Sequence, residues 1–177
     1  MKNKKLILIG TGVIFLGLLA WTFSPAFWTE NKSKRINTDN LHKRNFNEIP
    51  FTKEGDLWFL SGSGDTLKHI DVEISRKPYE IQRGLMDRSS MDEGQGMIFI
   101  FNKPAPRSFW MKNTRIALDI MYVDENLKIV SIQRNAQPFS EASLPSEADA
   151  QYVIEVNAGF SQTYGIDSET HIVFEEY

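Results

Sequence analysis

Short runs in which apolar and polar residues alternate, cut apart by turn residues, leave this chain little choice beyond a β-sheet with buried faces. Ile70, Val72 and Ile74 alternate with Asp71 and Glu73, the period of a half-buried strand. MIFIF at 97–101 is a short, wholly apolar strand. RSFWMK at 107–112 comes after Pro104 and Pro106, which are expected to break the chain between the two. LDIMYVD (118–124) and LKIVSIQ (127–133) flank Asp124-Glu125-Asn126, a hairpin turn. QYVIEVN (151–157) and HIVFEE (171–176) follow, and LWFL (57–60) before Ser61-Gly62-Ser63-Gly64-Asp65 is the eighth candidate. Two short helices interrupt the pattern. One opens at Lys77-Pro78, with Glu80 beside its N-terminus, and ends near Gly84 or Leu85. The other is expected to be capped by Asn157 and to run through Phe160 and Tyr164 to Gly165. Residues 135–150, with Pro138 and Pro145, read as a long loop. The expected fold is mainly β: a sandwich or partial barrel of about seven to eight strands with two short helices.

A different kind of segment precedes it. LILIGTGVIFLGLLAWTF (6–23) has no charge, and none occurs between Lys5 and Glu30. As a helix it spans about 27 Å, against about 30 Å for a hydrocarbon core. Lys2, Lys4 and Lys5 mark the cytoplasmic end. The expectation is a membrane anchor or signal peptide at 1–28, a linker at 29–51 and a mainly β domain at 52–177. As an anchor, residues 6–23 hold the domain on the extracytoplasmic side of the cell membrane, with Trp21 and Trp28 at the outer boundary. Ser24-Pro25-Ala26 also offers a cut after Ala26, which would release a periplasmic or secreted domain.

Composition narrows the function classes. Without the three N-terminal lysines, seventeen basic residues face twenty-three acidic ones, which argues against a nucleic-acid partner. The chain has no cysteine, so disulfides, thiolate nucleophiles and cysteine metal sites are excluded. No G-x-S-x-G elbow, phosphate-binding glycine loop or H-E-x-x-H pair occurs. His42, His69 and His171 lie far apart, and neither a metal nor a cofactor is called for.

Arg83-Gly84-Leu85-Met86-Asp87-Arg88, Gly96-Met97-Ile98-Phe99, Phe109-Trp110-Met111-Lys112-Asn113-Thr114 and Leu118-Asp119-Ile120 follow one another in order, with Glu155 and Ala158-Gly159 behind them. Over roughly residues 65–177 this set resembles a prokaryotic family catalogued as domain of unknown function 192. The resemblance implies a mainly β, sandwich-like fold and brings no established activity.

The site candidates come from the strand faces. Asp119 shares a face with Met121 and Val123, and Glu155 with Val153. A carboxylate among apolar neighbours must be paired or reach a solvated cleft. One reading makes both residues structural ion pairs or turn caps. The other gathers Arg83, Arg88, Trp110, Asn113, Asp119 and Glu155 into a ligand-binding surface, with Trp110 as its apolar floor. The preferred function is a membrane-tethered binding or interaction module for a polar small molecule, a cell-wall sugar or an envelope protein. An enzyme is the less favoured class. Its form would be a hydrolase using Asp119 and Glu155 as acid and base. A further alternative is a Cu(I) site built from Met86, Met91, Met97, Met111 and Met121, although methionine also serves as a core filler.

Overall fold

The structure, a computed structural model, describes residues 49–177. The apolar segment 6–23, the cut after Ala26 and most of the linker lie outside the described residues. Among the described residues no helix is long and apolar enough to cross a membrane. Seven strands form one sheet: β1 (Gly55–Leu60), β2 (Thr66–Ser75), β3 (Gln95–Phe109), β4 (Leu118–Val123), β5 (Ile129–Ala136), β6 (Leu144–Asn157) and β7 (His171–Glu176). Helix α1 (Pro78–Arg83) joins β2 to β3, and α2 (Phe160–Thr163) joins β6 to β7. Their order across the sheet is β5-β4-β6-β3-β2-β1-β7. The sheet curls until its outer strands meet at one end, where Ile129 N–H donates to Thr170 C=O at 3.0 Å and Ile172 N–H to Leu127 C=O at 2.8 Å. Of the two architectures expected, this is the partial barrel: a half-barrel with two short helices.

Curling gives the sheet an inner and an outer core. Leu57, Ile70, Val72, Ile98, Met121, Val123 and Ile154 pack inside, joined by Phe160 and Ile166 from the α2 segment. Met97, Phe99, Leu118, Ile120, Tyr122 and Val153 form the outer core, joined by Leu85 after α1 and Met111 after β3. Alternate residues of β4 therefore serve opposite cores, and all six are buried. The irregular segments over the outer face are tied together by backbone hydrogen bonds. Asp87 N–H donates to Asn113 C=O at 2.9 Å, and Phe139 N–H to Thr114 C=O at 3.1 Å.

Two expectations about the strands are corrected. Residues 97–101 and 107–112 do not form separate strands; all of the first and the first half of the second, 107–109, belong to β3, which carries Pro104 and Pro106 within it. The β3–β6 register shifts between Ile100 and Ala105 and again between Pro106 and Ser108. Pro104 thus sits where the ladder is interrupted, and Pro106, opposite Asp149, borders the second shift, so both prolines lie at irregularities of the strand. Arg107 N–H turns instead to Ser146 Oγ at 3.0 Å. For the same reason the end of the expected loop 135–150 is strand: β6 begins at Leu144 to pair with the far half of β3.

The helix termini divide similarly. Pro78 opens α1, and Glu80 reaches back to accept the N–H groups of Lys77 (3.0 Å) and Arg76 (3.1 Å). These bonds hold its carboxyl down to about 2. Asn157 does not cap α2; its side chain donates to Met91 C=O at 2.8 Å. The acceptor for α2 is Asp119, from β4. Its carboxylate takes Ser161 N–H at 2.9 Å, Ser161 Oγ–H at 2.7 Å, Gly159 N–H at 3.2 Å and Asn135 N–H at 2.9 Å. One side chain thereby fastens β5 and α2 to the middle of the sheet. Asp119→Ala would strand several donors in a site that is 1% exposed. The variant is expected to lose about 3 kcal/mol or more, seen as a Tm lower by about 10 °C in thermal unfolding followed by circular dichroism.

Candidate functional site

The outer face of β6 carries Glu155 between Met97 of β3 and Ile120 of β4. Its carboxyl is 5% exposed. Burial alone pushes it up to about 8, and among the described residues neither a hydrogen-bond donor nor a cation pairs with it. Every other buried carboxylate has partners. Glu73 holds Arg88 and Thr52 N–H, Asp119 takes four donors, and Asp56 lies against Lys53 and His69. Buried polar groups are paired in the large majority of cases; among the described residues the fully buried atom without a partner is Arg88 Nε, while the Glu155 carboxyl lines a cleft.

Above Glu155 the outer cover parts into a cleft of about 190 Å³. Its walls include Leu85, Phe99, Phe109 and Trp110, with Gln82, Arg83, Ser108 and Thr114 as the polar groups. A neighbouring depression of about 330 Å³ shares Gln82, Arg83, Met86 and Trp110 and adds Tyr79, Asp87, Lys112 and Asn113. Trp110 is 42% exposed and Tyr79 64%, so both bring aromatic surface to the rim. Lys112 Nζ lies 4.9 Å from the Trp110 ring centroid. Gly84 ends α1 at φ +48°, and a Cβ there would come within 3.2 Å of Phe99 and 3.6 Å of Glu155 Oε2. Glycine at this turn thus permits the left-handed backbone and keeps the carboxyl uncovered.

The structure brings together four of the six nominated residues: Arg83, Trp110, Asn113 and Glu155 line the two depressions. Arg88 lines a separate depression with Arg83 and Gly84, and Asp119 lies on the other face of the sheet. Arg88 is 6% exposed and ion-paired with Glu73, and Asp119 is spent on the backbone of β5 and α2. The hydrolase pairing is corrected by register. Asp119 lies opposite Val156, and Glu155 lies opposite Ile120. Directly paired residues share a face and neighbours alternate, so the two carboxylates point to opposite sides of the sheet and cannot act on one substrate. The methionines divide likewise. Met121 lies in the inner core, Met97 and Met111 in the outer one, and Met97 accepts Ser75 Oγ–H at 3.2 Å. The buried ones are core.

Tyr79, Gln82, Ser108 and Thr114 were not nominated from the sequence. An aromatic residue in the first turn of a short helix was the one available signal, for Tyr79. The others join only through the crossing of α1 over β3. Asp56, His69 and Asp71 offer ligand atoms within 4.8 Å of one another, but Lys53 Nζ already sits 2.8 Å from both Asp56 and Asp71. The cluster is an ion-pair network.

Two solved structures share the fold. One, from Sinorhizobium meliloti 1021, is described as a "putative transcription regulator"; it is 33% identical, with a TM-score of 0.66 over 72% of this chain and 97% of that one. Another, a protein of unknown function from Novosphingobium aromaticivorans DSM 12444, is 32% identical, with a TM-score of 0.63 over 67% of this chain and 83% of that one. No curated protein matches. A family model described as "Uncharacterized ACR, COG1430" matches residues 60–174, and the chain belongs to that family, DUF192.

Proposed function

We propose that the protein is a membrane-tethered binding module that presents the cleft between α1 and β3 to a polar ligand outside the cytoplasm. The observation that carries this reading is Glu155, a buried carboxyl with no protein partner at the floor of an open, aromatic-walled cleft. A pocket with apolar walls and a few polar groups orients a small polar ligand, and a perturbed titratable group in a cleft marks such a site. Tethering is supported by the uncharged run 6–23 behind Lys2, Lys4 and Lys5. The acidic balance of the remainder speaks against carrying over a nucleic-acid role from the S. meliloti protein.

The cost of leaving Glu155 unpaired can be measured. Its folded value lies above the ordinary 4.5, so its contribution to stability is fully present below pH 4.5 and is lost as pH rises through about 8. Glu155→Gln has no charge to bury. Its Tm is expected to match the parent near pH 4 and to exceed it by several degrees at pH 9; scanning calorimetry across that range checks the sign.

Exposed cleft residues should behave differently from scaffold. Arg83→Ala and Asn113→Gly, the glycine chosen because Asn113 holds φ +55°, are expected to stay within about 0.5 kcal/mol of the parent. A thermal-shift screen of sugars, nucleotides, amino acids and short peptides should then find a compound that raises the parent Tm and raises that of Arg83→Ala less. Unfolding of both variants well below the parent, or no shift with any compound, would overturn the reading. Topology has its own test. Protease added to intact spheroplasts is expected to digest the β domain, and full protection would remove the extracytoplasmic placement.

A further inference from the structure

We propose that the floor of the cleft is a subsite for a protonated amine: Glu155, buried in the outer face of the sheet beside Phe99, Phe109 and Trp110, pairs with an ammonium group carried by the ligand. This rests on the reading of the cleft as a binding site and names the chemistry of what enters it.

Three features select a cation. A buried carboxylate lacks a counter-charge, and a ligand ammonium supplies both the charge and up to three hydrogen-bond donors. Phe99, Phe109 and Trp110 line the cleft, and aromatic rings tolerate a cation beside them better than an anion. Gly84 leaves Glu155 Oε2 uncovered where any side chain would overhang it. A volume of about 190 Å³ suits a head group rather than a whole oligomer. Arg83 and Gln82 line both the cleft and its neighbour, where they can donate to acceptors elsewhere on the ligand. Against the ionised carboxyl, a neutral hydroxyl would make one hydrogen bond and leave the charge uncompensated, and a carboxylate would meet like charge.

The proton balance follows. Burial holds Glu155 largely neutral near pH 7. Arrival of an alkylammonium ion converts the carboxyl to carboxylate and releases one proton to solvent, with no covalent bond made or broken. The titratable groups facing Glu155 are few. Tyr122 on β4 is raised by its own burial and then by the charge of Glu155, so it stays neutral. Arg83 on α1 lines the same cleft. The lining residues from β3 and from the segment after it, Phe99, Ser108, Phe109, Trp110 and Thr114, do not titrate in this range.

The test uses the full chain in detergent and three probes of similar size: butylamine, 1-butanol and butyrate. Amide NMR titrations at pH 8.5 are expected to move the resonances of Gly84 and Leu85 with butylamine, at an affinity at least tenfold above that of 1-butanol. The butylamine affinity should fall by up to tenfold per unit as pH drops below about 8, and calorimetry in two buffers at pH 7 should detect about one released proton. Glu155→Gln, which keeps the fold, should erase the preference for the amine. If 1-butanol or butyrate binds as tightly as butylamine, or if Glu155→Gln binds the amine unchanged, the amine subsite is overturned while the cleft remains a binding site. If none of the three moves Gly84 or Leu85, the amine subsite is again overturned. Silence in the thermal-shift screen as well would remove the binding reading with it.

Discussion

Strand β4 has no wet side. All six of its residues are buried, and the neighbouring β6 is buried over Val153–Val156. Burial of the inner face follows from the curl of the sheet and the α2 segment, an economical solution because the sheet covers itself. Among the described residues the outer face has no second sheet to meet. It is covered by one short helix and by irregular backbone, whose polar groups must then find partners close to the core. The bonds from Asp87 to Asn113 and from Phe139 to Thr114 supply some of them. A cover assembled from such pieces does not close everywhere, and the place where it parts is the cleft over Glu155.

Buried carboxylates in this fold show what a structural role looks like. Asp119 takes four donors, and Glu73 takes a guanidinium and an N–H. Each joins segments distant in sequence, and each would be costly to lose. Glu155 has the same burial and joins nothing. A scaffold residue in its position would be an apolar side chain like its neighbours Val153 and Ile154, which pack at no electrostatic cost. The contrast within one sheet is therefore stronger support for a ligand than the raised titration of Glu155 taken alone.

Sequence periodicity made the strand faces legible but not their opposition. The alternation in 118–123 correctly put Asp119 with Met121 and Val123, and the QYVIEVN run flagged Glu155 as out of place. Whether the two carboxylates share a side depends on which residue of β6 lies opposite Asp119. That residue is Val156, and a shift of one would have reversed the answer. Local signals did well where the physics is local: the Asp124 turn, whose carboxylate accepts Asn126 N–H and Lys128 N–H at 2.9 Å each, and the Pro78 start of α1. They failed where partners are remote. Asp119 caps a helix about forty residues away, and Pro104 is tolerated because pairing with β6 is interrupted there, with Pro106 at the edge of the next register shift.

The location of the cleft follows from topology rather than from any motif. Among the described strands, β2 and β3 are the parallel pair, and a parallel connection cannot be made by a tight turn. The chain must leave the sheet, cross one face and return, which puts α1 and the turn after it over the outer core. The crossing carries Arg83 and Gly84 past Phe99 and Glu155. At Gly84 the backbone takes a positive φ where an added Cβ would reach van der Waals contact with both, so the segment can descend to bury Leu85 without sealing the carboxyl below. An ordinary residue at 84 would strain the turn and overhang Glu155 together. The same glycine that completes the crossover therefore keeps the site open, which explains why Arg83-Gly84-Leu85-Met86 stands out in a chain that carries no catalytic signature.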